Sequence, residues 1–338
     1  MITIDGSEGE GGGQMVRNAL ALSLVTDQPF RIDNIRANRS KSGLMRQHVT
    51  AIEAACAIGS AVCEGVAVGA RSIVFKPGRI VAGDYRFAVG TAGSAGLVLQ
   101  TILPPLLLAD RPSRLTIEGG THNTHAPPFD FIDRTYLPLL RRMGPLVTAR
   151  LVRHGFYPAG GGRIDIEIEP APLMPVDLIE RGNPVDVGAT AVMALLDDDI
   201  GMRELASARA ILDWPESAFR LERLSNPVGP GNVLLLEAVF EHVTEIVTGF
   251  GQLGVPAQSI GSQAATRMLG YLNSAAFAGP YLADQLLLPM AMAGRGTFTT
   301  VSPTKHTQTA ADIIRRFLDA AIRFDRHPNG AFLVTIGT

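Results

Sequence analysis

His306 stands near the start of a helical pattern, within SPTKHTQTAADIIRRFLDA, residues 302–320. The pattern begins near Gln308, so we expect the free N–H groups and positive dipole end of the helix to face the loop that carries His306. A positive dipole end disfavours imidazolium, and a neutral imidazole has a lone pair that can attack phosphorus. Lys305 and the nearby threonine hydroxyls could hold phosphate oxygens. The residues alone leave open a histidine in a helix-flanking loop with no catalytic role.

Two glycine-rich segments could bring backbone N–H groups close to a phosphate. They are DGSEGEGGGQ (5–14) and GTAGSAG (90–96), and each lies between a predicted strand and a predicted helix. Glycine permits close backbone approach, and a helix N-terminus attracts anions. Neither segment is a Walker loop, because no Gly-Lys-Ser/Thr follows. A flexible strand-to-helix turn explains the same pattern equally well.

RANRSKSGLMRQH (36–48) is a local basic segment in a chain whose formal net charge is -2. From Arg17 to Arg46 there are six basic and two acidic residues. Arginine forks bind phosphate oxygens in pairs of hydrogen bonds. Together with Gln47 and His48, the arginines of this segment favour an anionic partner such as a nucleic-acid end. The alternative is a solvated loop with ordinary surface charge.

Two other polar motifs and the cysteines give weaker indications of function. His122 and His125 in GGTHNTHAPPFDF (119–131) could bind a metal, but no third ligand is evident nearby, so a turn-rich loop is favoured. HGFYPAGGG (154–162) predicts a hairpin connection, and its Tyr157 could line a cleft. The two cysteines of the chain are too few for a disulfide framework and wrongly spaced for a zinc site.

The elements that must position these residues repeat in the order β-α-β-α-β-β. The order occurs from ITID to SIVFKP, again from DYRFAV to RIDIEIEP with SRLTIEG (113–119) as its second strand, and a third time towards the C-terminus, with VDLIER (176–181) as its displaced first strand. About 90 residues with their own strands and helices interrupt the third copy, and LLLEAVFEHVTEIVT (234–248) is predicted as one of those strands. The sequence predicts an α+β fold of three βαβαββ units. A large domain spans 1–182 and 275–338, and a small inserted α/β domain spans 183–274.

The composition and the N-terminal sequence restrict the classes of protein to which this chain could belong. With 338 residues, 46% hydrophobic, the chain can build a sizeable core. Its N-terminus lacks a signal pattern and its longest apolar run is broken by two prolines, so a cytoplasmic protein without a membrane partner is predicted. None of the three lysines is followed by x-Asp-Gly, which disfavours the lysine-adenylating motif of ordinary nucleic-acid ligases.

Seven segments together resemble the RNA 3'-terminal phosphate cyclase family. They are DGSEGEGGGQMVRNALALS, IRANRSKSGLMRQH, GDYRFAVGTAGSAGLVLQT, APPFDF, RHGFYPAGGG, GPGN and GPYLADQLLLPMAMAG, in family order across nearly the whole chain. The resemblance implies a fold similar to the enolpyruvyl transferases. It also implies a reaction in which ATP adenylates a histidine and AMP passes to an RNA 3'-phosphate. The neighbouring 2'-hydroxyl then attacks, giving a 2',3'-cyclic phosphate.

The resemblance also assigns residues. The nucleophile position falls on His306. The implied ATP-binding residues are Gln100, Tyr281, Leu282, Ala283, Asp284 and Gln285, joined by Glu10, Pro128 and Phe131. The implied RNA-phosphate-binding residues are Arg17, Arg36, Arg39, Gln47 and His48. The resemblance implies ATP as a substrate together with Mg²⁺ or Mn²⁺, and it implies no dedicated metal-binding residue. The implied partner is RNA with a 3'-terminal phosphate. A homodimer is a possible assembly.

The chain departs from the family pattern at three positions. Ser42 replaces a proline, Ala310 replaces an asparagine, and His122 stands where asparagine or aspartate is expected. Two other functions remain to be weighed. A non-catalytic RNA-binding or ribosome-biogenesis relative would lack the histidine nucleophile, so His306 with its flanking Thr307 and Thr309 favours the enzyme. An enolpyruvyl transferase is disfavoured by the YLADQ and KHTQT segments.

Overall fold

The first unit contains two helices behind a four-stranded sheet. The structure is a computed structural model and describes residues 1–337. The unit comprises β1 (Ile2–Asp5), α1 (Gly13–Thr26), β2 (Phe30–Asp33), α2 (Arg46–Ile58), β3 (Val62–Glu64) and β4 (Ile73–Lys76). The strand order is β1-β2-β4-β3, with β1 parallel to β2 and the other pairs antiparallel. Alternation along β2 buries Phe30 and Ile32 against the helices, as the period of two requires.

The second unit repeats this order. It comprises β5 (Asp84–Ala88), α3 (Ala95–Leu106), β6 (Ser113–Gly119), α4 (Phe129–Phe131) with a π-helical turn (Ile132–Tyr136), α5 (Leu137–Arg142), β7 (Leu146–Arg153) and β8 (Gly162–Glu169). The strand order β5-β6-β8-β7 matches that of the first unit, again with one parallel pair.

The third unit is interrupted after its first strand, β9 (Asp177–Leu178). The inserted unit comprises β10 (Pro184–Ala194), α6 (Asp198–Arg209), β11 (Phe219–Arg223), β12 (Gly231–Phe240), β13 (Thr244–Phe250) and α7 (Ala257–Leu272). The third unit then resumes with α8 (Pro280–Met292), β14 (Gly296–Thr300), α9 (Lys305–Phe317), β15 (Ala321–Arg326) and β16 (Phe332–Gly337). Its sheet, β9-β14-β16-β15, has the same order as the other two.

Helices of the three units meet in a shared interior. Helix α1 packs on α2, α3 and α9, and α8 packs on α9. These helices bury large apolar side chains such as Leu20, Ile102 and Ile314. Burial of this kind is the main force that holds the units together. The N-terminal ends of α1, α8 and α9 therefore come close to one another, although they lie far apart in sequence.

The predicted α+β fold of three repeated units and an inserted α/β unit is confirmed. The domain boundaries at 182/183 and 274/275 stay a prediction. Within residues 1–337, no helix combines the length and apolar character needed to cross a bilayer. The cytoplasmic location and the homodimer also stay predictions.

Three local predictions were wrong. Helix α9 begins at Lys305 rather than near Gln308, because Thr304 caps it and the polar first turn hides the apolar period. The segment LLLEAVFEHVTEIVT is not one strand but the hairpin of β12 and β13, since Phe240 N–H bonds to the Val243 carbonyl and reverses the chain. Strand β11 was not predicted, because its exposed charges mask the alternation.

Candidate active site

The first turn of α9 presents His306. Thr304 Oγ1 accepts from the Thr307 N–H at 3.1 Å, and Thr307 Oγ1 accepts from the Thr304 N–H at 3.2 Å. This reciprocal pair is a capping box, which fixes where the helix starts. His306 is the second residue of the helix, and its side chain is 49% exposed. It therefore lies within the helix end rather than in the loop before it.

Gln14, in the first turn of α1, holds the His306 ring. The Gln14 Oε1 and His306 Nδ1 atoms are 3.0 Å apart. An amide oxygen only accepts, so Nδ1 carries the hydrogen and Nε2 keeps its lone pair. Burial lowers the pKa of His306, and the charges of Arg39 and Arg17 lower it further. The ring is thus neutral at pH 7 and presents one nucleophilic nitrogen.

The glycine loop places Glu10 beside that nitrogen. Glu10 Oε1 lies 3.6 Å from His306 Nε2 and forms an ion pair with Arg39. The other carboxylate oxygen, Oε2, is buried without a hydrogen-bond partner. A buried carboxylate oxygen without a partner is costly, so Glu10 Oε2 is available to accept from a donor or to bind a cation.

The three predicted phosphate-binding arginines differ in what they contact. Arg17 has no hydrogen bond or ion pair with any residue of the described chain, and burial lowers its pKa to about 10, so it stays charged. Arg39 reaches Glu10. Arg36 donates to the carbonyls of Lys41, at 2.6 Å, and Gly43, at 3.1 Å. Arg17 is thus the arginine of the three that is free to bind an anion, whereas the hydrogen bonds of Arg36 stabilise the loop in which it lies.

The other two residues of that set hold the framework. Gln47 Oε1 accepts from the Ser94 N–H at 3.1 Å and so joins the basic segment to the second glycine loop. His48 is 3% exposed, and its Nδ1 accepts from the Met45 N–H at 2.9 Å, capping α2. Burial lowers the pKa of His48 to about 3. The placement of His48 does not favour the predicted contact with RNA phosphate, because the ring is covered by Gly13.

The YLADQ segment divides into three parts in the structure. Tyr281 is 54% exposed at the N-terminal end of α8, whereas Leu282 and Ala283 are fully buried and can offer a ligand only backbone. Gln285 accepts from Gln100 Nε2 at 2.5 Å, which joins two predicted ATP-binding residues from different units. Gln100 and Gln285 are both half-buried.

Asp284, the fourth residue of the segment, faces α9. Its Oδ1 accepts from Thr307 Oγ1 at 2.5 Å and lies 3.4 Å from Thr304 Oγ1. Burial raises the pKa of Asp284 to about 7, although both threonine hydroxyls act in the opposite direction. Asp284 therefore bonds the helix that carries Tyr281 to the cap of the helix that carries His306.

The 119–131 loop lies near His306, and its His125 is among the groups that lower the pKa of His306. The predicted ATP-pocket residues Pro128 and Phe131 are buried at the start of α4. His122 bonds to Asp130 Oδ2 at 2.7 Å through Nε2 and to Thr121 Oγ1 at 2.8 Å through Nδ1. Both ring nitrogens of His122 therefore have hydrogen-bond partners within the same loop. The loop thus accommodates histidine at the position where the family pattern has asparagine or aspartate.

Two residues make contacts at the site that the sequence reasoning did not predict. Gln14 closes the first glycine segment and contacts His306, and Thr309 Oγ1 accepts from the Glu10 N–H at 2.9 Å. Both stand inside motifs that drew attention for other residues. A polar residue directly after a glycine run, and a threonine one turn after His306, were the available signals. Ala310, the second departure from the family pattern, is buried in the α9 packing face one turn after His306.

Comparison with known proteins gives one consistent result. A family model described as RNA 3'-terminal phosphate cyclase matches residues 8–324. A protein of that name from Koribacter versatilis (strain Ellin345) is 50% identical over 332 residues, covering 98% of this chain and 94% of the relative. Proteins of the same name from Ectopseudomonas mendocina (strain ymp) and Ralstonia nicotianae (strain ATCC BAA-1114 / GMI1000) are each 49% identical. They match 95% of this chain and 94% and 92% of their own lengths.

Proposed function

This chain belongs to the RNA 3'-terminal phosphate cyclase family, and we propose that it cyclises an RNA 3'-terminal phosphate through AMP carried on His306. The observation that carries the proposal is the 3.0 Å contact between His306 Nδ1 and Gln14 Oε1. It leaves Nε2 with a free lone pair in a basic pocket. The product is an RNA with a 2',3'-cyclic phosphate end.

In the first step, His306 Nε2 attacks the α-phosphorus of ATP. The bond from that phosphorus to the bridging oxygen breaks, and pyrophosphate leaves. The imidazole keeps its hydrogen on Nδ1, so the adduct is a cationic phosphoramidate whose N–H still donates to Gln14. Negative charge grows on the phosphate oxygens during the attack. Arg17 and the N-terminal end of α9 would stabilise that charge.

In the second step, an oxygen of the RNA 3'-phosphate attacks the adenylate phosphorus. The P–N bond breaks and the imidazole departs neutral, which makes it a good leaving group. In the third step the 2'-hydroxyl attacks the RNA phosphorus, its proton passes to solvent, and AMP leaves. No group on the enzyme is consumed, so His306 is ready for a new cycle.

A divalent metal ion could bind to one carboxylate oxygen of the pocket, Glu10 Oε2. Residues 1–337 contain no cluster of three or more His, Cys, Asp or Glu side chains that could hold a metal alone. The unpartnered Glu10 Oε2 is nevertheless a hard oxygen donor of the kind that Mg²⁺ or Mn²⁺ prefers, and the triphosphate would supply further ligands. Such an ion, when bound, would neutralise charge on the phosphates and ease the departure of pyrophosphate.

The experiment is mass spectrometry of the intact protein after incubation with ATP and Mg²⁺, followed by peptide mapping. We expect an acid-labile AMP adduct on the peptide that carries His306, and RNA ending in a 3'-phosphate should discharge it. His306→Ala should form no adduct, whereas His125→Ala, which removes an exposed histidine of the neighbouring loop, should form it. A folded sample that does not arrive already adenylated and still forms no adduct would favour the non-catalytic binding protein.

A further inference from the structure

The basic segment 36–48 contains four cations and no acidic residue. Two of them are used inside the protein, since Arg36 donates to loop carbonyls and Arg39 pairs with Glu10. The other two, Lys41 and Arg46, are exposed. Neither forms an ion pair with a carboxylate among residues 1–337. Their charge is therefore available to solvent.

A third exposed cation, Arg71, joins this surface from a separate part of the chain. The segment before β4 runs beside the basic loop, with Leu44 N–H bonded to the Ala70 carbonyl at 2.9 Å and Ile35 N–H bonded to the Arg71 carbonyl at 3.0 Å. Across the described chain Arg71 also makes no ion pair. We refer to Lys41, Arg46 and Arg71 as the outer basic surface.

Ser42 fixes the direction of Arg71. Arg71 Nη2 donates to Ser42 Oγ at 2.7 Å. A hydroxyl oxygen is a neutral acceptor, so it orients the guanidinium without cancelling its charge. Proline, the residue expected here from the family pattern, has no hydroxyl and could not make this bond. The departure at position 42 thus coincides with an additional oriented cation next to Lys41.

We propose that the outer basic surface binds the RNA phosphates upstream of the 3'-terminal phosphate, with Arg71 held in place by Ser42. The inference rests on the proposed function, because it takes RNA as the substrate of the His306 site. Arg39 belongs to the same loop and pairs with Glu10, whose Oε1 lies 3.6 Å from His306 Nε2, so this loop connects the site with the outer basic surface. Single-stranded RNA carries a negative charge at every nucleotide, and exposed cations without an ion-pair partner supply the opposite charge.

The test separates ATP chemistry from RNA binding. The enzyme is first charged with ATP, and cyclisation is then measured on a 20-nucleotide RNA 3'-phosphate and on a dinucleotide 3'-phosphate at several salt concentrations. Arg71→Ala should form the adduct like the wild type. Its KM for the long RNA should rise about 5-fold at low salt, and the salt dependence of log KM should weaken by about 0.7 per lost phosphate contact. The dinucleotide should be affected less than about 2-fold, because it has one upstream phosphate.

Two further variants sharpen the result. Ser42→Ala should shift the KM for long RNA in the same direction by less, and combining it with Arg71→Ala should add nothing. Arg295→Ala removes an exposed cation on the turn after α8 and should change neither KM nor salt dependence. Absence of any adduct in the wild type would defeat the proposed function itself. Normal adduct and cyclisation, with an Arg71→Ala variant indistinguishable from wild type on long RNA, would overturn this inference alone, as would an equal loss in Arg295→Ala.

Discussion

Thr309 Oγ1 accepts a hydrogen bond from the backbone N–H of Glu10 at 2.9 Å, across 299 residues of sequence. Thr309 lies one turn after His306 on α9, so the helix that carries His306 also holds the glycine loop in place. The loop comes this close because Gly9 adopts a left-handed φ of 56°, and a Cβ there would collide with the Thr309 hydroxyl. The separation of Glu10 from His306 therefore depends on Thr309.

Thr309→Val, which keeps the side-chain shape, should slow adduct formation by about 10²-fold, because the loop that carries Glu10 loses its anchor. The stability of the protein should fall by only about 1 kcal/mol, the usual net value of one hydrogen bond. Stopped-flow or quenched adduct formation at saturating ATP gives the rate, and thermal unfolding gives the stability. Thr309→Ser, which retains the hydroxyl, is the matched control. A Val variant with wild-type rate would show that the loop needs no anchor.

Gln14→Ala should also slow adenylation, since neither ring nitrogen of His306 would then be held as the donor. We expect a loss of about 10-fold to 10²-fold in the adduct-forming rate with little change in ATP affinity. Nitrogen NMR of labelled histidine can report the tautomer directly, with wild-type His306 protonated at Nδ1. If the wild-type ring proves protonated at Nε2 instead, the assignment of Nε2 as nucleophile is wrong.

The rate of adduct formation should fall on acidification only below pH 6.5, the ordinary pKa of histidine; we call the midpoint of this fall the acid limit. Burial and the Arg39 and Arg17 charges lower the pKa of His306, so the neutral nucleophile persists to lower pH and is lost only when the pH falls through that lowered value. Arg39→Ala removes one of these charges and leaves Glu10 unpaired beside the ring. Its acid limit should move upward, towards or above 6.5. A pH–rate profile that does not shift would exclude Arg39 from this control.

Asp284→Asn should alter how stability depends on pH. Burial raises the pKa of Asp284 to about 7 from an ordinary value of 3.8. The folded state therefore binds the proton more tightly than the unfolded state, and this stabilisation is complete below about pH 3.8 and lost as the pH rises through about 7. The asparagine variant should lack this loss, which we expect to be on the order of 2 kcal/mol. Denaturant unfolding at pH 5 and pH 8 measures it, and an unchanged pH dependence would refute the assignment.

The sequence was a good guide to elements and a poor guide to contacts between them. Strands such as SRLTIEG have a period of two along a half-buried face, so Ser113–Gly119 was predicted to the residue. The start of α9 was not, because a polar capping turn carries no apolar period. Nucleotide-pocket roles were predicted for Asp284 and Leu282 alike, yet one faces the cap of α9 and the other is core. Gln14 meets His306 only through the packing of α1 on α9, which no local pattern records.

That long separation has a consequence for synthesis. Gln14 and His306 are 292 residues apart, and they meet only when the last helix has packed. Ribosomes add about 5–20 residues per second, so the glycine loop emerges roughly 15–60 s before its partner. During that interval the nascent chain holds a basic loop without the helix that completes the pocket. A fragment ending before α9 would thus expose cations to any RNA nearby while lacking the means to modify it.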